Sequence, residues 1–183
     1  MAGDDIRPRA SRILTPVRSR RLRFLLVFFV LLVLFEVPLL IESVDRNAVQ
    51  PFTRGIAAVS GLTLNALGQN VRMSGTLISG QCFTVNINNG CNGLEATLFL
   101  VAAVLAFPAT ARQRLLAALG GVALIQLVNL IRVVSLYMVG CYRREWFDTA
   151  HLAVWQTIVF GVAILFFAQW TRRATTIDAA QRA

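Results

Sequence analysis

The chain has 183 residues, 56% hydrophobic and 15% charged, with a formal net charge of +9 at pH 7. Its mean hydropathy of +0.64, with charges at the ends of apolar runs, excludes an ordinary soluble domain. Nor does the positive charge read as a nucleic-acid footprint, because the arginines flank apolar runs instead of covering a polar surface.

Arg7, Arg9, Arg12, Arg18, Arg20, Arg21 and Arg23 precede an apolar run over residues 24–41, broken only by Glu36 and Pro38. This pattern predicts a membrane helix held at its end by cytoplasmic Arg and attracted to anionic lipid headgroups. No small-x-small cleavage pattern follows, so an uncleaved anchor is expected and not a signal peptide.

Between residues 42 and 92 the pattern changes. Val49, Phe52, Ile56, Val59 and Leu62 recur at intervals of three and four. They predict an amphipathic helix on the membrane surface or capping the bundle. Phe83, Val85 and Ile87 alternate with Cys82, Thr84 and Asn86, which reads as a strand. Ser79-Gly80 is the expected turn to a partner strand within residues 71–78, making a hairpin over the mouth of the bundle.

Three further apolar stretches follow, over residues 93–109, 115–139 and 152–170. A hydrocarbon core of about 30 Å needs roughly 20 helical residues, and the first of these reaches that length only with Thr110 and Ala111. The expected fold is an all-α integral membrane protein. It has four transmembrane helices, a small extracytoplasmic amphipathic helix and a β-hairpin. An Arg-rich tail (1–23) and a second tail (171–183) flank the membrane domain (24–170).

Arg112, Arg114, Arg172, Arg173 and Arg182 fall on the side of the N-terminal tail. Arg46, Arg54, Arg72, Arg143 and Arg144 fall opposite. The denser side is expected to be cytoplasmic, with both termini inside a bacterial inner membrane.

Arg132 lies within the third apolar stretch, about 10 Å below its outer end at 1.5 Å per residue. A charge at the bilayer centre costs about 2.5–3.5 kcal/mol on insertion scales. Either Arg132 snorkels to the headgroups, or it faces the bundle interior, paired or binding substrate. Cys91 opens the second stretch in the run Asn89-Gly90-Cys91-Asn92-Gly93. A thiol at a helix N-terminus is biased toward thiolate, and the glycines suit a tight turn. Cys82, Cys91 and Cys141 all fall outside the cytoplasm. A Cys82–Cys91 bridge or a Cys82–Cys141 bridge is open by counting, and the latter leaves Cys91 free.

His151, the only histidine, begins the fourth stretch at a depth close to that of Cys91. A Cys–His pair on neighbouring helices suits a thiol nucleophile, and Asp148 can orient the imidazole or cap the helix. Glu95, four residues after Cys91, is expected one turn deeper with Arg132 as partner. Asn129, three residues before Arg132, is expected to share its face and add a hydrogen bond.

At these residues the chain resembles the exosortase/archaeosortase family of polytopic membrane cysteine enzymes. The matching motifs are Cys91-Asn92-Gly93, Asn129-Leu130-Ile131-Arg132 and His151, in the family's order and topological positions, across residues 85–170. Many members have about eight spans where four are expected here, so the chain is similar to the short forms, such as the exosortase H type. The resemblance implies catalytic Cys91, Arg132 and His151. It also implies a tail-anchored protein substrate ending in a sorting signal: a short motif, a transmembrane helix and a basic tail. Neither cofactor nor metal is expected; membrane lipid is the other partner. Two other classes fit the same features, a four-span thiol-disulfide oxidoreductase and a non-enzymatic membrane assembly or transport subunit. The first would need a cycling Cys pair, and no Cys-x-x-Cys is present.

Overall fold

The structure is a computed structural model describing residues 14–180, with side chains described over residues 21–174. Helix α1 (Leu14–Glu36) starts inside the expected N-terminal tail. Arg7, Arg9, Arg12 and Arg182 lie outside the described residues. Pro38 cannot donate a helical hydrogen bond, and α1 tightens there into a 3₁₀ turn, Val37–Leu40. A bend at Ile41 leads into the short α2 (Glu42–Val44), a π-helical turn (Asp45–Val49) and α3 (Gln50–Ala66).

The expected hairpin is a three-stranded antiparallel sheet of β1 (Arg72–Ser74), β2 (Leu77–Ser79) and β3 (Thr84–Asn86), in that spatial order. The anticipated partner segment folds back on itself. Gly75, at φ 65°, takes the first position of a two-residue turn that a side chain would strain. The Ser79-Gly80 connection then joins β2 to β3 as anticipated, closed by Gly80 N–H donating to the Phe83 carbonyl at 2.9 Å.

Helix α4 (Leu94–Ala106) stops at Phe107, whose extended backbone is what a following proline imposes. Arg114 donates to the Ala109 and Leu105 carbonyls at the end of α4, and Thr110 with Gln113 forms a reciprocal capping box that starts α5 (Ala111–Tyr142). A 3₁₀ turn (Arg144–Trp146), the short α6 (Phe147–Thr149) and a second π-helical turn (Ala150–Val154) lead into α7 (Trp155–Ala180), which extends through most of the expected C-terminal tail.

Three helical segments among the described residues are long and apolar enough to cross a membrane: Arg21–Leu40, Ala111–Tyr142 and Arg144–Ala174. The chain is therefore a multi-pass membrane protein. The second expected span differs. Helix α4 has 13 residues, a rise of about 20 Å, below the length that spans a bilayer. None of its residues is exposed, and α1, α5 and α7 surround it. It is the most enclosed helix of the bundle, packed on three others.

Burial on α3 also differs from expectation. Of the predicted apolar stripe only Val49 is buried, while Val59 and Leu62 are 52% and 63% exposed. The face turned to the protein is Thr53, Ala57, Ser60, Gly61 and Leu64. Small residues on this face permit close approach between α3 and its neighbours.

Two apolar clusters result. One joins α3, the sheet and the C-terminal part of α5 through Ala57, Leu64, Ile78, Ile87, Val133 and Tyr137. The other joins α4, α5 and α7 through Leu100, Val104, Ala117, Ile125, Val159 and Ala163. Asn129 and Arg132 occupy α5 between them.

Candidate active site

The turn 88–93 carries Cys91 into the seam between the clusters. Gly90 and Gly93 take φ values of 84° and 74°, and Cys91 N–H donates to the Asn88 carbonyl at 3.0 Å. Cys91 thus precedes α4 by three residues instead of belonging to it, and Glu95 is not one helical turn below it. Asn92 is 1% exposed. Its amide donates to Thr53 Oγ1 at 2.9 Å, and its Oδ1 accepts from Leu94 N–H at 3.0 Å. Thr53 Oγ1 donates in turn to the Val49 carbonyl. One residue earlier, the Asn89 amide donates to Asp45 Oδ1 at 2.8 Å. The helical segment 45–53 therefore anchors the loop at two points.

Cys91 and His151 meet. Their Sγ and Nε2 atoms are 2.6 Å apart. His151 sits in the π-helical turn, a local irregularity that often marks functional positions. Its ring stacks on Phe147, with centroids 5.8 Å apart and planes inclined at 29°. Asp148 is exposed and makes no hydrogen bond to the imidazole, so Phe147 orients the ring. Spacing of four residues on one helix face was the available signal for Phe147. Thr53 and Asp45 carried no local signal.

Arg132 is 3% exposed and faces inward, not toward the headgroups. With α5 extending to Tyr142, it lies about 15 Å from that end of the helix. Its Nη1 donates to the Gly90 carbonyl at 3.4 Å, and its Nη2 to the His151 carbonyl at 3.4 Å and to Cys91 Sγ at 3.9 Å. The anticipated Arg132–Glu95 ion pair is absent among the described residues: both line a small pocket with Gly90 and Gln156 without closing to bonding distance. Main-chain carbonyls at the mouth of the site take the guanidinium fork instead. Asn129 is fully buried, but its side chain makes no hydrogen bond among the described residues. It packs against Gly93, where an added Cβ would lie 2.9 Å from Asn129 Cγ, and so it gauges the loop without assisting Arg132.

Cys82 and Cys141 form a disulfide, leaving Cys91 as the free cysteine. Burial raises the Cys91 thiol above its ordinary pKa; Arg132 draws it back down, Glu95 pushes it up again, and a backbone hydrogen bond at Asn88 lowers it. The net direction is upward, contrary to the thiolate expected from a helix N-terminus. The helix begins three residues too late to offset desolvation.

A cavity of about 240 Å³ opens on the pair, lined by β3 and by Cys91, Arg132, Leu136, Phe147 and His151. A thiol within reach of an imidazole, beside a buried guanidinium and an open cavity, is the equipment of nucleophilic acyl chemistry.

The family model of the transmembrane exosortases (Exosortase_EpsH) matches residues 13–174. The chain belongs to the transmembrane exosortase family. This family assignment makes it a sorting-related membrane protein, and the matched range includes all three residues of the site. No curated protein and no solved structure matches the chain.

Proposed function

We propose that this protein is a membrane-embedded cysteine peptidase or transpeptidase that processes C-terminal sorting signals of exported proteins. The observation that carries the proposal is the 2.6 Å approach of Cys91 Sγ to His151 Nε2, with Arg132 donating beside both.

Cys91 attacks the scissile carbonyl, and a carbon–sulfur bond forms as its proton passes to His151. The carbon–nitrogen bond then breaks, and His151 returns that proton to the leaving amine. A thioester remains. Water or an acceptor amine next gives a proton to His151, attacks the thioester carbonyl and expels the Cys91 thiolate, which His151 reprotonates. Arg132 steadies the negative charge that develops on sulfur or oxygen. Because the resting thiol is raised in pKa, the imidazole is the base that activates it.

The same reading places the site at the extracytoplasmic face of a bacterial inner membrane, with residues 1–23 and 171–183 cytoplasmic. A disulfide between Cys82 and Cys141 supports an oxidising side for the sheet. The Arg bias supports the sidedness of the ends. Core helix α4, with its flanks, then returns the chain inward as the fourth crossing. Phe107 beyond its end meets Phe24, Phe167 and Trp170 of α1 and α7. The substrate is a tail-anchored protein with a short motif, a transmembrane helix packed among these helices and a basic tail.

Co-expression with a host protein ending in such a signal tests the reading. Cys91→Ala and Cys91→Ser should both abolish processing at equal membrane abundance; undiminished processing by Cys91→Ala eliminates the nucleophile.

A further inference from the structure

The cavity over Cys91 is bounded on one side by a strand with an unused edge. The sheet order is β1-β2-β3, so among the described residues β3 has a neighbour on one side only. The register of β2 with β3 pairs Ile78 with Val85 and Ser79 with Thr84. Ile87 N–H donates to the Thr76 carbonyl, and the Phe83 carbonyl accepts from Gly80 N–H. Antiparallel pairing alternates bonded and non-bonded residues, so Phe83, Val85 and Ile87 direct their main-chain groups at β2. Thr84 and Asn86 direct theirs away from it. Residues 83–88 line the cavity as one unbroken stretch, together with Cys91 and His151.

Side chains on this strand suit the same purpose. Val85 and Ile87 are buried beneath the sheet, whereas Thr84 and Asn86 are exposed. The opposite boundary of the cavity is apolar, from Val133, Leu136 and Phe147. An unpaired edge inside a site that already holds the nucleophile fits an extended chain, for which main-chain bonds supply affinity independent of side-chain identity.

We propose that an extended segment of the substrate, next to the scissile bond, pairs with the free edge of β3 as a fourth strand and thereby carries its carbonyl to Cys91. The inference rests on the peptidase reading above and adds to it how the recognition segment is held. The partners are the outward N–H and C=O groups of Thr84 and Asn86. Five residues beyond Asn86, the turn 88–93 folds back and presents Cys91 to the same channel.

The test uses full-length protein in membranes and two electrophiles, acetyl-tetraalanyl chloromethyl ketone and the featureless iodoacetamide, with alkylation of Cys91 read by mass. N-methylation of the peptide amides, one at a time, should slow labelling about tenfold at every second amide and leave the alternate ones unchanged. Thr84→Pro deletes an outward N–H without removing a bond to β2; it should remove the peptide's rate advantage while the iodoacetamide rate stays as in wild type. Thr84→Ala, which keeps the N–H, should behave as wild type. Should Thr84→Pro fold poorly, the N-methyl series on the wild-type protein decides alone. Uniform sensitivity or uniform tolerance along the peptide overturns strand pairing but leaves the nucleophile assignment intact. Failure of Cys91 to react with either electrophile overturns both.

Discussion

The Asn92 amide donates to Thr53 Oγ1 at 2.9 Å, tying the residue beside the candidate nucleophile to a helix 39 positions earlier. Both groups are buried, so the Asn92 amide donor depends on Thr53, while Thr53 Oγ1 also keeps the Val49 carbonyl as its own acceptor. Leaving a buried polar group unpaired costs about 1–3 kcal/mol. Thr53→Val and Asn92→Leu should each lower thermal stability by that order. The double variant should cost less than the sum of the two, with a coupling of about 0.5–3 kcal/mol. Strict additivity in a double-mutant cycle would show that the bond holds nothing in place.

Gly93 is pinned by its left-handed φ of 74° and by the Asn129 side chain where a Cβ would stand. Gly93→Ala should destabilise by about 1–2 kcal/mol from the backbone alone and slow processing further by displacing the turn. Adding Asn129→Ala removes the collision but not the backbone strain. Partial, not full, recovery of activity is therefore expected in the pair, measured against each single variant.

The Cys91 thiol titrates above its ordinary range because it is buried, and Arg132 opposes that rise. Its alkylation rate should climb with pH through a midpoint higher than that of a free cysteine. Deleting the positive charge with Arg132→Gln removes a stabiliser of thiolate, so the midpoint should move higher still and the rate near neutrality should fall. A midpoint that drops in Arg132→Gln would contradict the sign of the interaction.

Arg132 spreads its fork over the Gly90 and His151 carbonyls and Cys91 Sγ. A lysine ammonium keeps the charge but not the planar geometry. Hydrogen bonds to charged groups are worth about 1.5–3 kcal/mol each, so Arg132→Lys should lose tenfold or more in processing rate. Wild-type rates in Arg132→Lys would reduce the residue's role to a point charge.

Maleimide-polyethylene glycol should add once to the unfolded native protein, at Cys91, and three times after reduction, in keeping with the Cys82–Cys141 bridge. Cys82→Ser with Cys141→Ser should cost about 2–4 kcal/mol of stability without removing the essential thiol. A second adduct on the unreduced protein counts against the bridge.

The three residues of the site were legible because each is an anomaly in its surroundings: a thiol in a glycine turn, a guanidinium within an apolar helix, a lone imidazole at a helix start. Their depths were less legible: α5 runs on to Tyr142, which puts Arg132 about 15 Å and not 10 Å from that helix end. The supports were not legible. Thr53 and Asp45 reach the nucleophile turn across about forty residues, and no local spacing encodes such a bond. Phe147 lay four residues from His151, yet the carboxylate of Asp148 drew the attention. The stripe on α3 misled for a different reason. Its spacing marked one face of a helix but not which face the protein covers, and the residues that do face the protein, Thr53, Ala57, Ser60 and Gly61, are too small or polar to stand out. The third strand was missed because segments of three residues are too short for an alternating pattern to declare itself.

Encasing α4 within α1, α5 and α7 has a consequence for where the chemistry happens. Helices that touch acyl chains tilt or stretch when bilayer thickness changes. A helix packed on three others is shielded from much of that adjustment, and the turn bearing the sulfur is mounted on it. Arg132 and His151, by contrast, ride on the spans α5 and α7, so a change of bilayer thickness would reach the spacing of the three groups through those two helices and not through the turn that carries the sulfur.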